Sequence, residues 1–424
     1  MNAQILTLYI DPGTGSMLFS VFIGAAMTII FLLRAAIIKL QFIITGGRSK
    51  KISMNKIPYV IYTDSKRYWN VFKPICDEFE RREIPLTYLT QSQDDPIFSA
   101  NYKYVTGKFI GTGNKGFTKL NFINSCITLS STPSLDVLQW KRSKETDFYV
   151  HIPHTVDDKV GYKMFGLDYY DAVLLTGDYQ AEDIRYLEKL RGIKEKELVT
   201  VGSTCMDYAL EHLSQLPKYK GPNFDNITVL LAPSWGESAI LSRFGSKIIH
   251  ALADTGFKII VRPHPQSKTS ESKMLESLQS KFNDVPNLSW NYDNDNLAVL
   301  NSADILITDF SGVVYDYTFL CDRPIIYADT KFDPRPYDAG CIPHKLWRFK
   351  TLEKLGVKLR EEDFANIKQV ILNAINSPEL KQGRESAKAQ AWMFQGESAK
   401  RAVDYLVQKR KEIEEKRTQG KQQA

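Results

Sequence analysis

The sequence predicts an α/β protein: two Rossmann-like series of strands and helices behind an apolar N-terminal segment. Three observations carry this. Short runs such as Ala172-Val173-Leu174-Leu175 and Ile305-Leu306-Ile307 are apolar throughout, as strands of a parallel sheet buried on both faces are. Between them lie stretches whose apolar residues recur at helical spacing, giving the alternation of a βα series. A Pro-, Gly- and Asn-rich stretch at 217–226, PKYKGPNFDN, divides that series in two.

Taken in order, residues 1–52 form an N-terminal segment with a membrane helix at about 17–38. Met17 to Leu33 is uncharged and almost wholly apolar, at the lower end of the length that crosses a bilayer. No Lys or Arg precedes it, whereas Arg34, Lys39, Arg48, Lys50 and Lys51 follow, so a short outer N-terminus and a cytoplasmic body are expected at the cell membrane. A buried core helix or a re-entrant hairpin is the alternative. The five cysteines (Cys76, Cys126, Cys205, Cys321 and Cys341) are dispersed and form no CxxC pair, which fits reduced thiols in a cytoplasmic body rather than a zinc site.

The first Rossmann-like domain is expected over 55–216. Tyr59–Tyr62 opens it as a strand, and Phe72, Ile75, Cys76 and Phe79 mark a helix over Trp69–Arg82. Further strands are expected at Leu86–Leu89, Ser125–Ser131, Asp147–Ile152, Ala172–Leu175 and Leu198–Val201, with a helix over Gln180–Leu190. Thr112–Gly116 reads as a turn-rich loop able to form a lip of a cleft. The second domain, 226–360, alternates more cleanly: strands at Ile227–Leu231, Lys258–Val261, Leu288–Trp290, Ile305–Ile307 and Pro324–Tyr327, and helices at Ser238–Thr255, Ser270–Phe282, Leu297–Leu300 and Val313–Leu320. Tyr337–Trp347 is expected as a loop, followed by helices. Residues 361–424 read as helices to about Val407 and a mixed-charge tail, a solvated or frayed helix, with membrane-surface contact as a lesser reading.

The net charge of +6 suits an anionic substrate or membrane surface and is too small to argue for nucleic acid. Candidate chemistry gathers at strand ends. Asp309-Phe310-Ser311-Gly312 breaks a buried strand and opens a helix, so Ser311 and Gly312 sit where free N–H groups and the helix dipole attract a phosphate. Arg262-Pro263-His264-Pro265 follows another strand directly: a fixed cation and a titratable donor, held by two prolines, that suit a pyrophosphate. In Ala232-Pro233-Ser234-Trp235-Gly236-Glu237, Ser234 can donate to a phosphate or cap a helix. Glu237 fits a capping box, and Trp235 either stacks on a ring or packs between domains.

In the first domain, Val150-His151-Ile152-Pro153-His154-Thr155 places two histidines at a strand end. One of them facing the cleft can serve as general base, with Asp157 or Asp158 orienting it or raising its pKa. Without an HExxH frame the pair is not read as a metal site, and His212 and His250 fall in ordinary helices. No GxSxG elbow and no GxxxxGK[ST] loop is present, so hydrolase and P-loop readings lack support.

The combination of Arg262-Pro263-His264-Pro265, then Asp309-Phe310-Ser311-Gly312-Val313-Val314-Tyr315-Asp316, then Arg323-Pro324 and Asp329, resembles the CDP-glycerol glycerophosphotransferase family of teichoic-acid primases and polymerases. Those enzymes carry RxHP, a D-Y-S-S-x-x-F-D segment, and K-P before a strand ending in Asp. Ala232–Trp235 is similar to their A-P-T-W. The resemblance runs over roughly 145–335. Two departures stand out. His154-Thr155-Val156-Asp157-Asp158-Lys159 keeps only the His-to-Lys spacing of the family's W-H-G-T-P-L-K, and Gly312 replaces a serine, losing a hydroxyl donor but keeping the N–H.

The resemblance implies two facing Rossmann-like domains, the GT-B arrangement, with an acceptor-side first domain and a nucleotide-donor second domain. It implies transfer of glycerol phosphate from CDP-glycerol to a hydroxyl of a lipid-linked or polymeric envelope glycan, releasing CMP, with no metal or other cofactor. His154, with His151 second, would take the proton. His264, Arg262, Ser311, Gly312, Ser234 and Asp309 would serve the donor, and Asp316 would bind ribose or support packing. The alternatives are a GT-B glycosyltransferase using a sugar nucleotide, a UDP-sugar 2-epimerase-like enzyme, and an inactive envelope-assembly scaffold.

Overall fold

The computed structural model describes residues 56–422 apart from 294 and 329–331, together with Thr28, Ile29 and Leu33. Apart from those three residues, the expected membrane helix at 17–38 lies outside the described residues, as does the strand-ending Asp329. Among those described, no helix is long and apolar enough to cross a membrane.

Residues from Ile57 onward make one compact unit built on two parallel sheets. The first holds β1 (Ile57–Thr63), β2 (Leu86–Thr90), β3 (Val105–Phe109), β4 (Ser125–Ser130), β5 (Phe148–His151), β6 (Ala172–Leu175) and β7 (Glu197–Thr200), in the order β3-β2-β1-β4-β5-β6-β7. The second holds β8 (Thr228–Leu231), β9 (Lys258–Val261), β10 (Leu288–Trp290), β11 (Ile305–Thr308), β12 (Ile325–Ala328) and β13 (Gly356–Leu359), in the order β10-β9-β8-β11-β12-β13. In each sheet the strand order reverses once, between β1 and β4 and between β8 and β11. Such a reversal opens a crevice at the carboxyl ends of the strands, where α/β sheets bind ligands.

The central strands are apolar because both faces are covered. Every residue of β4, β6 and β11 is buried. One apolar cluster runs from Ile61, Phe72 and Leu129 in the first lobe to Leu230, Leu306 and Tyr315 in the second, so the lobes share a core. Clusters around Ile249, Ile259 and Ile305, and around Tyr62, Trp140 and Tyr149, cover the other faces.

Three elements differ from the expectation. Val105–Phe109 is an edge strand, and the turn-rich segment after it opens the helix Asn114–Leu120, away from the cleft. The strand is short and only half-buried, so its apolar signal is weak. Gly356–Leu359 is a strand where helices were expected; GVKL has little periodicity of its own and is strand only by pairing with β12. The tail expected as a solvated or frayed helix is instead packed: it continues the helix Ser398–Gln422, which lies back across the first lobe. Lys409 pairs with Glu197, Arg82 with Asp404, and Arg410 lies over the Tyr59 ring. Asp207 anchors its start, accepting from Trp392 Nε1 (2.9 Å), Gly396 N (2.8 Å) and Ser398 N (3.2 Å). Gly177 and Gly202 permit this return: a methyl at either position would run into the carbonyl of Gln390 or Met393.

Candidate active site

A cavity of about 620 Å³ lies between the carboxyl ends of the two sheets. The second lobe contributes three consecutive strand ends. After β11, Ser311 and Gly312 lead into the helix Val313–Cys321, whose N-cap, Gly312, makes no side-chain cap hydrogen bond. The Val314 and Tyr315 N–H groups bond the Ser311 and Gly312 carbonyls at 3.2 and 3.1 Å, so those of Gly312 and Val313 are the ones left for an anion, and Ser311, Gly312 and Val313 line the cavity.

After β9, Arg262 and His264 line the same space. The Arg262 guanidinium is pinned by the Asn291 side chain and donates to the Asp293 carbonyl at 2.8 Å. The His264 Nδ1 accepts from the Gln266 N–H at 3.1 Å, which leaves the ring proton on Nε2, a donor. Burial holds the His264 pKa below its ordinary value.

After β8, Ala232 and Pro233 reach the cavity but Ser234 does not; its N–H is bonded to the Asp309 carboxylate at 3.0 and 3.2 Å. Asp309 also accepts from Ile240 N at 3.0 Å and is 1% exposed. Asp309 and Ser234, expected on the donor, therefore do not line the cavity. They tie the phosphate turn to the neighbouring strand end across the sheet reversal. Asp309 also takes over the cap expected of Glu237, because the helix begins later, at Ile240. Trp235 is exposed, its ring 6.4 Å from that of His264, and does not pack between the lobes. Asp316, on the first turn after Gly312, lines the cavity with its pKa pushed up to about 6 by burial.

The first lobe supplies His154, and the structure separates it from His151. Side chains alternate along β5, so Tyr149 and His151 point to one face while Val150 and Ile152 point to the other. His151 is 0% exposed, with Nε2 3.1 Å from the Tyr162 hydroxyl and its ring against Tyr170. The expectation of His151 as second base is corrected: it is a neutral core histidine, its pKa held well down by burial. His154, three residues on, lines the cavity beside the Tyr68 ring at 4.9 Å.

Asp157 acts on His154 through its charge alone, which raises the imidazole pKa as expected without outweighing burial. Its carboxylate pairs with Lys159 Nζ at 3.4 Å and Arg348 at 3.5 Å and accepts from the Thr155 hydroxyl. Burial and the Lys159 charge bring the His154 pKa down to about 4, so the imidazole is neutral at physiological pH and can take a proton. Asp158 accepts from the N–H groups of Trp347 and Arg348, both at 2.9 Å, and fixes the His154 loop against a segment nearly two hundred residues away.

Sequence reasoning missed Arg67 and Asn70, which line the cavity from the segment after β1, and Asn296, which faces it before the helix Leu297–Ser302. The first two lie next to the strand-order reversal, so the reversal rule finds them once the order is known. Arg348, whose guanidinium donates to the Phe310 carbonyl at 2.8 Å, carries no local signal.

The comparisons agree with this geometry. Residues 168–340 match the family model described as CDP-Glycerol:Poly(glycerophosphate) glycerophosphotransferase. That bears out the expected resemblance and supports a transferase like the members of that family. No curated protein matches. Among solved structures, the wall teichoic acid polymerase TagF soaked with CDPG is similar at 13% identity, covering 91% of this chain and 98% of that one, with a TM-score of 0.53. The UDP-GlcNAc 2-epimerase of Methanocaldococcus jannaschii, in complex with UDP-GlcNAc and UDP, is similar at 16% identity over 83% and 99%, TM-score 0.53. The S. aureus MnaA–UDP structure is similar at 12% identity over 82% and 96%, TM-score 0.56. At these identities the likeness is one of fold: two parallel sheets in a GT-B-like arrangement.

Proposed function

We propose that this protein transfers glycerol phosphate from CDP-glycerol to a hydroxyl of a lipid-linked or polymeric envelope glycan and releases CMP. The observation that carries the reading is the convergence, on one cavity, of an uncapped helix N-terminus with Ser311, of Arg262 and His264, and of a neutral His154 from the other lobe. The family match over 168–340 and the TagF-like fold support it.

The acceptor oxygen attacks the phosphorus that carries glycerol as His154 removes its proton. The new O–P bond forms as the bond to the bridging oxygen breaks, and CMP leaves with the electron pair. Arg262, the His264 Nε2–H, Ser311 and the Gly312 N–H hold the diphosphate and meet the charge that grows on the leaving oxygen. Asp316, which lines the same cavity, would bind the donor's ribose. The N-terminal apolar segment would hold this site at the cytoplasmic face of the cell membrane.

The test is CMP release by the full-length protein in the presence of a lipid-linked glycan acceptor, with CDP-glycerol, CDP-ribitol and UDP-sugars compared. Turnover of CDP-glycerol with its loss in His264→Ala supports the reading. Turnover confined to a UDP-sugar assigns the chain to sugar-nucleotide chemistry instead.

A further inference from the structure

A second cavity of about 410 Å³ adjoins the first, and His154 and Thr155 line both. None of Arg262, His264, Ser311 or Gly312 reaches the second cavity, so a diphosphate held by those groups leaves it open. It spans the lobes: Ser134 follows β4, Tyr162 and Lys163 follow β5, and Tyr337 and Arg348 come from the second half of the chain, with Lys163 and Tyr337 joined by an antiparallel bridge. A hydroxyl entering from this side meets the His154 ring at the junction, across from a donor in the first cavity. Building on the transferase reading, we propose that the second cavity is the acceptor subsite and that it takes a neutral sugar ring rather than a polyanionic glycerophosphate chain.

The contrast between the cavities carries the chemical choice. The first has an open helix N-terminus, whereas the helix N-terminus beside the second, at Trp347, is already filled: Asp158 takes the Trp347 and Arg348 N–H groups. The Arg348 guanidinium is committed to the Phe310 carbonyl and to Asp157, and Asp157 also pairs with Lys159. The cations and donors that would greet a phosphate are thus met by carboxylates within the fold, and Lys163 remains as an exposed cation on the rim. What the cavity does offer is three tyrosines, Tyr68, Tyr162 and Tyr337, together with Ser134. Their flat aromatic faces suit the apolar face of a pyranose ring and Ser134 supplies a hydroxyl, the Tyr162 hydroxyl being taken by His151.

Ser134 adds a mark of construction. It holds φ at +65°, in the left-handed region, with its N–H donating to the Gly166 carbonyl at 2.7 Å. Backbone held in that region by its surroundings gathers at ligand sites.

The test is equilibrium binding to the full-length protein, which requires no turnover and so stands apart from the donor assignment. Methyl glycosides of neutral disaccharides, including gluco, manno, galacto and N-acetylamino forms, are compared with a short oligo(glycerol phosphate) and with CDP. At least one disaccharide should bind more tightly than the oligo(glycerol phosphate). Tyr337→Ala and the bulk-retaining Tyr337→Leu should each weaken it about tenfold while CDP affinity stays unchanged. Tighter binding of the oligo(glycerol phosphate), binding by no disaccharide, or equal loss of CDP affinity in the Tyr337 variants would each overturn the proposal. Failure of CDP-glycerol turnover with the disaccharide result intact would instead remove the donor reading alone.

Discussion

The two walls of the cleft are built differently. The second-lobe wall is local: Arg262, His264, Ser311 and Gly312 leave strands of one sheet, and Asp309 locks the turn after β11 to the one after β8. The first-lobe wall is held from afar: the loop carrying His154 is fixed by Asp158 to the backbone of Trp347 and Arg348. One wall is preformed by its own sheet, and the other exists only when the lobes are joined. This separation predicts that donor binding and proton transfer respond to different substitutions.

The largest expected effect is at His154. His154→Ala should lower transfer roughly 10²–10⁴-fold while CDP affinity holds, because it removes a base and leaves the phosphate wall intact. CMP release and CDP titration measure the two halves, and an equal loss of CDP affinity would break the comparison. Next, His264→Ala should lower kcat about 10²–10³-fold and raise the donor KM as well, since it removes a phosphate donor that strengthens as charge develops.

The anchors should split the same way. Asp309→Ala strips a buried carboxylate from the N–H groups of Ser234 and Ile240 and should destabilise the fold by about 1–3 kcal/mol, raising the donor KM. Asp158→Ala should cost a similar amount but lower kcat, with donor KM little changed. Unfolding curves and initial rates distinguish them.

The last effect concerns pH. His154 has a pKa near 4, below the ordinary value of 6.5, so its stabilising contribution is full above about 6.5 and is lost as pH falls toward 4. Asp158 and Asp316 have pKa values near 6, above the ordinary 3.8, so theirs is full below that value and is lost as pH rises through 6. The two trends oppose each other over the same window. His154→Gln removes the first, so acidification from pH 6.5 to 4 should favour the variant over the parent by up to roughly 3 kcal/mol in denaturant unfolding. A parallel response would show that His154 is not neutral and buried in the fold.

Much of the second wall was legible because its signals are contiguous. A buried strand, turn residues and a helix start follow one another at Ile305–Val313, and Arg262-Pro263-His264-Pro265 adjoins β9. Where reading failed, the cause was distance along the chain. Asp309 looked like a turn residue facing ligand, and only the adjacency of β8 and β11 shows that it serves Ser234 and Ile240. Glu237 fitted a capping pattern, but the helix starts later and another residue caps it.

By itself the sequence determined the α/β class, the division into two series, most strand positions and the phosphate-type turn, because burial on both faces and helix starts are written in neighbouring residues. The tertiary structure decided which histidine meets the cleft, since the side of β5 that faces the other lobe depends on how the sheets pack. It also decided that the charged C-terminal helix returns to the first lobe, and that Asp157, Lys159 and Arg348 neutralise one another beside the second cavity. Those outcomes rest on pairs as far apart as Lys409 and Glu197, 212 residues along the chain, and local periodicity does not report such pairs.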